Sequence, residues 1–200
     1  MDNKELVFEK IYEEHKKYLH NLNVKNGKML ICFAGIPGSG KTTIAKVLEE
    51  RYKGVRINSH KVGQIIRKVK KVEGDRELQN EYQCWILEKK PFENGLIILD
   101  SGIERKYEKT FEIAKSKKFK IFIIQLNISK EEAMRRIAER EGVGAENYFT
   151  EFDRWEREFE NFRAKFKADV VLDVEKDRSF EGVFEVLDRF FSKNRYVIQT

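Results

Sequence analysis

Between residues 35 and 42 the chain reads Gly35-Ile36-Pro37-Gly38-Ser39-Gly40-Lys41-Thr42, an ungapped fit to G-x-x-x-x-G-K-[ST]. At average residue frequencies a chain of 200 residues meets that pattern by accident about one time in a hundred. The flanks narrow the reading further. Met29–Ala34 (MLICFA) is a continuous apolar run, as in a strand buried on both faces, and Thr42–Arg51 follows with a helical pattern. A strand, a glycine-rich turn and a helix opening on Lys-Thr is the arrangement that holds a polyphosphate. Glycines at 35, 38 and 40 let backbone N–H groups approach phosphate oxygens where a Cβ would obstruct. The helix adds its positive end. Lys41 is expected to reach the β- and γ-phosphates of a nucleoside triphosphate, and the Thr42 hydroxyl to ligate Mg²⁺. The alternative is a glycine-rich turn with no ligand.

Outward from this loop the pattern alternates. Strands are predicted at Val55–Asn58, Leu96–Asp100 (LIILD), Phe119–Leu126 (FKIFIIQL) and Val170–Asp173. Helical periodicity occupies residues 4–22, 60–71, 75–90, 104–117, 129–141, 147–167 and 179–192, with breaks at Asn26-Gly27, Gly74 and Asn94-Gly95. Apolar strands alternating with helices imply an α/β fold, a parallel sheet covered on both faces. There is no internal repeat, low-complexity tract or linker, so residues 1–200 are expected to form one domain with an N-terminal helical extension over 1–26.

Composition sets the remaining bounds. Charged residues make up 37% of the chain and hydrophobic ones 40%, the balance of a globular protein with a heavily solvated surface. Forty basic against 34 acidic residues leave +6, which favours anionic ligands without identifying one. Cys32 and Cys84 are expected as reduced, partly buried thiols. No stretch approaches eighteen apolar residues and the N-terminus lacks a signal peptide's apolar core, so a soluble cytoplasmic protein with no membrane association is expected.

A metal-linked carboxylate is the second part that polyphosphate chemistry needs. Asp100 closes the apolar run LIILD, which would set it at the carboxyl edge of a parallel sheet, on the side of the phosphate loop. Capping the next helix is its alternative role. Phe149, Phe152, Trp155, Phe159, Phe162 and Phe166 recur every three or four residues, as the buried side of a helix does. A platform for stacking nucleic-acid bases is the competing reading.

The phosphate loop GIPGSGKTT, the run LIILDSGIERKYEKTFEIAK and the segment IFIIQLNISKEEAMRRIAEREG resemble the small P-loop kinases. The nearest group is that of polynucleotide 5′-kinases, gluconate kinases, zeta-type toxin kinases and related AAA-type ATP-binding proteins. The resemblance covers about residues 28–175. It implies a P-loop NTPase three-layer sandwich, a five-stranded parallel sheet with helices on both faces, and a helical lid over about 129–167. ATP and Mg²⁺ are the implied cofactors, and a small-molecule or nucleic-acid hydroxyl the implied acceptor. Gly35, Ile36, Pro37, Gly38, Ser39, Gly40, Lys41, Thr42 and Thr43 would be the ATP site. Asp100 would share the Mg²⁺ with Thr42, and Arg105 would face the acceptor. Within the lid, Ser129 can cap a helix with Glu132 three residues on. Arg136 and Arg140 share one face of that helix, where arginines would hold ATP and stabilise a transferring phosphoryl group. A solvated charged face is the plainer reading.

One stretch departs from the group's pattern. The second strand usually ends in a Ser-Asp pair whose Asp orients the acceptor hydroxyl, whereas this chain reads Ile57-Asn58-Ser59-His60-Lys61. His60 is open to four readings: a base, half of a cationic pair with Lys61 for an anionic acceptor, the mark of lost acceptor chemistry, or an ordinary exposed histidine. Asp75 is a further base candidate, though capping also explains it. A GTPase switch would need an N-K-x-D element, and LNISK at 126–130 offers none. A non-catalytic ATP-binding module is the alternative to a kinase.

Overall fold

A computed structural model of the protein describes residues 3–20, 28–71, 75–90, 92, 95–142, 146–177 and 179–193. In chain order the elements are α1 (Asn3–His15), β1 (Met29–Ala34), α2 (Lys41–Tyr52), β2 (Val55–Asn58), α3 (Ser59–Lys70), α4 (Arg76–Lys89) and β3 (Leu96–Gly102). There follow α5 (Tyr107–Ser116), β4 (Lys120–Asn127), α6 (Lys130–Glu141), α7 (Glu146–Phe149), α8 (Phe152–Lys165), β5 (Val170–Asp173) and α9 (Glu181–Lys193). The breaks expected at Asn26-Gly27, Gly74 and Asn94 lie outside the described residues.

All five strands pair in parallel in the order β2-β3-β1-β4-β5. The strand before the phosphate loop therefore sits in the middle, and the chain leaves it to opposite sides, toward β3 and β4. That switch point is where open parallel sheets form a crevice beyond the strands' carboxyl ends.

The pleat divides β1 between two cores. Met29, Ile31 and Phe33 pack with Ile44, Leu48 and Tyr52 of α2 and with Leu187 and Phe191 of α9. Leu30, Cys32 and Ala34 face Trp85 of α4, Phe111 of α5 and Phe159 and Phe162 of α8. Every residue of β1 is buried, which is why its sequence shows no alternation. The result is the three-layer sandwich, with helices on both faces.

Side-chain caps place three helix starts. Asn58 accepts from Lys61 N–H, Asp75 from Leu78 N–H and Ser129 from Glu132 N–H. The helical pattern over 147–167 resolves into α7 and α8, separated by Thr150 and Glu151. Phe152, Trp155, Phe159 and Phe162 of α8 are buried, and Phe149 and Phe166 pack partly buried against the same core. Phe162 stacks on Phe166 with centroids 5.0 Å apart, and Phe166 meets Phe111 edge-on at 5.4 Å. The stripe is core packing, so its rings are not a stacking platform. Both cysteines are free and buried, and burial pushes the Cys32 thiol up to about 12.

Candidate functional site

The loop between β1 and α2 is shaped by two left-handed residues, Gly38 (φ 87°) and Gly40 (φ 90°). A Cβ on Gly38 would stand 2.7 Å from the carbonyl oxygen of Ala133, so the loop lies directly against α6. Ser39 N–H donates to Ile36 O at 3.2 Å. The N–H groups of Gly38, Gly40, Lys41 and Thr42 find no acceptor among the described residues. A row of unpaired donors at the head of a 12-residue helix suits an anion with several oxygens.

The Lys41 ammonium is turned back onto this loop. It donates to Gly35 O at 2.5 Å, Ile36 O at 2.8 Å and Ser39 Oγ at 3.2 Å. Burial lowers its pKa, opposed by the carboxylates of Glu104 and Asp100; the charges of Arg140 and Arg105 lower it further. Two arginines from different segments thus project their fields onto the lysine.

Asp100 is 3% exposed and fully engaged. Thr42 Oγ1 donates to its Oδ1 at 2.7 Å, and Arg56 at 2.8 Å and Asn58 both donate to its Oδ2. Arg56 also bonds Glu49 Oε2 at 2.5 Å, so a carboxylate–guanidinium–carboxylate chain runs beneath the loop. β2 and β3 pair in unbroken register, which sets Asp100 opposite Asn58. β1 and β3 stay in step only to Cys32↔Leu99, after which Phe33 pairs with Gly102. A hydroxyl and a carboxylate 2.7 Å apart are donors that suit a hard divalent cation. Among the described residues no group of three or more His, Cys, Asp or Glu could cage a metal.

On the other flank of the loop, a cavity of about 420 Å³ is lined by Ser39, Gly40, Thr43, Arg136, Val174 and Phe180, among others. Arg136 Nε donates to Glu132 at 2.8 Å and its NH2 to Val174 O at 3.3 Å. Glu132 does not close a capping box, since its carboxylate is held by Arg135 and Arg136. Arg140 pairs with Glu141 and lies 5.8 Å from the centroid of the Tyr148 ring. Arg105 pairs with Glu158 at 2.5 Å and lies 5.7 Å from the centroid of Trp155.

Thr42 thus meets Asp100, Arg136 lines the cavity with Gly40 and Thr43, and the charges of Arg105 and Arg140 act on Lys41. His60 stands apart: it is exposed on the first turn of α3 with Nε2 3.0 Å from Gln64 Nε2. Asp75 serves as the α4 cap.

Sequence reading passed over four groups that the fold brings here. Arg56 and Asn58 bind Asp100. Lys106, 7% exposed, donates to Ser101 Oγ at 2.6 Å, and burial brings its pKa down to about 8. Glu104 accepts a hydrogen bond from Gly35 N–H at 2.5 Å. Burial raises the Glu104 pKa, while Lys41 and the Gly35 N–H oppose the rise. The one signal in the sequence was a Glu four residues beyond Asp100, a spacing with no chemical meaning until the turn is folded.

Residues 31–157 match the family described as an AAA domain. No curated protein matches the chain. Among solved structures, Chaetomium thermophilum Kti12 in complex with ADP-AlF3 is similar at TM-score 0.59 and 18% identity, over 86% of this chain and 100% of that one. A gluconokinase from Sinorhizobium meliloti 1021 is similar at TM-score 0.57 and 14% identity, over 86% and 97%. The Mycobacterium tuberculosis APS kinase CysC in complex with AMPPNP and APS gives TM-score 0.56 and 10% identity, over 81% and 98%. At such identities the likeness is one of fold.

Proposed function

The chain belongs to the AAA domain family through residues 31–157, and from that premise we propose that it is an ATP-dependent phosphotransferase. In this reading it moves the γ-phosphoryl group of ATP to a hydroxyl of a small molecule or a nucleic-acid end. The observation that carries it is the set of loop N–H groups of Gly38, Gly40, Lys41 and Thr42, which have no acceptor among the described residues, with the Lys41 ammonium held beside them. On binding, Lys41 would exchange the carbonyls of Gly35 and Ile36 for β- and γ-phosphate oxygens. Mg²⁺, held through Thr42 and, directly or by water, Asp100, would neutralise charge on the moving group. Arg136 borders the cavity at Gly40 and Thr43, a position that favours holding the nucleotide. Arg140 and Arg105, whose charges reach Lys41, are placed to stabilise the transferring phosphoryl, with Arg105 also toward the acceptor. The kinase folds of the neighbours support the same assignment.

The test is a calorimetric titration with ATP and Mg²⁺, followed by transfer of labelled γ-phosphate to a panel of sugars, acidic metabolites and oligonucleotide 5′-ends. Binding with transfer to one acceptor class is the expected result. Lys41→Ala should lose transfer and weaken ATP binding by about tenfold or more, as expected for a charge-assisted contact of 1.5–3 kcal/mol. Absence of ATP binding by the unaltered protein would overturn the reading.

A further inference from the structure

A hydroxyl that attacks the γ-phosphate must lose its proton, and the base usual in the resembling kinases is missing from β2. The residues that stand there are committed elsewhere. Asn58 caps α3 and binds Asp100, and His60 lies exposed beside Gln64. Asp100 cannot serve, because both its oxygens are taken by Thr42, Arg56 and Asn58. Asp75 is held at the start of α4.

Glu104 is differently placed. After the register slip, Ile103 N–H donates to Phe33 O at 3.0 Å and ties the turn beyond β3 to the end of β1. That tie brings the next side chain to the first residue of the phosphate loop, where Glu104 Oε1 accepts from Gly35 N–H. Its charge is the largest favourable influence on Lys41, the residue assigned to the γ-phosphate. A carboxylate is thereby fixed at the first residue of the phosphate loop, within electrostatic reach of Lys41.

We propose that Glu104 is the general base of the transfer, taking the proton of the acceptor hydroxyl as that oxygen attacks the γ-phosphorus. The inference rests on the phosphotransferase reading above. The new bond joins the acceptor oxygen to the γ-phosphorus. The bond from that phosphorus to the β–γ bridging oxygen breaks, and its electron pair leaves with ADP. The proton on Glu104 passes to solvent after product release. The groups facing the carboxylate are the Gly35 N–H, Lys41 of α2 and Arg105 of its own turn, with Lys106 within electrostatic reach. Burial outweighs these cations and raises the carboxyl's pKa, which makes it a better proton acceptor near neutral pH than an exposed carboxylate.

Glu104→Gln tests the assignment, since the amide oxygen can still accept from Gly35 N–H and keep the turn in place. Water serves as the acceptor probe, with single-turnover release of phosphate from Mg²⁺·ATP. Loss of a positioned base should slow this release by about 100-fold or more. Affinity for AMPPNP should be unchanged or tighter, because a negative charge beside the γ-phosphate has been removed. Affinity for ADP with aluminium fluoride, relative to AMPPNP, should fall, and this ratio decides even where hydrolysis is slow. A variant with the parent hydrolysis rate, or one that loses both affinities in equal proportion, would overturn the role of Glu104. If the unaltered protein binds no AMPPNP, the phosphotransferase reading itself fails, a different result from an unaffected variant.

Discussion

Gly38 shows how much a single residue must satisfy here. Its left-handed backbone excludes an ordinary side chain, and the Ala133 carbonyl 2.7 Å from its absent Cβ excludes one again. Gly38→Ala should therefore cost about 1–3 kcal/mol of stability and move α6 off the loop. Thermal denaturation should show the loss, and nucleotide titration a weakened affinity. A variant with parental stability and affinity would mean that loop and helix separate without cost. Gly40 differs: its φ of 90° demands glycine, yet nothing lies within 4 Å of its absent Cβ, which leaves room for a ligand.

At the scale of the element, the proposed transfer gives separable tasks to two of the three arginines of α6. Arg136 faces the cavity by Gly40 and Thr43, and the Arg140 charge reaches Lys41. Arg136→Ala should chiefly raise KM for ATP, and Arg140→Ala should chiefly lower kcat. Equal effects of the two on kcat would remove the distinction. α8 is held by its rings. Phe162 is 2% exposed and contacts Phe166, Tyr107 and Phe111. Phe162→Ala should cost about 3–5 kcal/mol, measured by denaturant unfolding. A cost under 1 kcal/mol would mean the site collapses around the gap.

Across the whole molecule, a buried polar contact helps join the N-terminal helix to the sheet-covering layer. His15 Nδ1 lies 3.1 Å from Tyr82 Oη, and burial brings the His15 pKa from 6.5 down to about 4. The unfolded chain therefore binds the extra proton first. Stability from this group is complete above pH 6.5 and is lost as pH falls toward 4, by on the order of 3 kcal/mol. Unfolding free energies measured across that window should fall less steeply in His15→Gln than in the parent. Identical slopes would show that His15 does not govern acid sensitivity.

Local physics made the sheet and its loop legible in the residues themselves. β1, β2 and β5 fell where the sequence placed them, and β1 was plainest because a strand covered on both faces has no polar positions to confuse its pattern. The loop was legible because only glycine tolerates its backbone angles. Long-range pairing decided the rest. Glu104 gained meaning only when a register slip between β1 and β3 carried it to Gly35, 69 residues away in the chain. Arg56 met Asp100 through the pairing of β2 with β3, and Lys106 was buried by neighbours it does not share in sequence. Charged residues have no periodicity that reports their partners, so which of them meet is fixed by the tertiary structure alone.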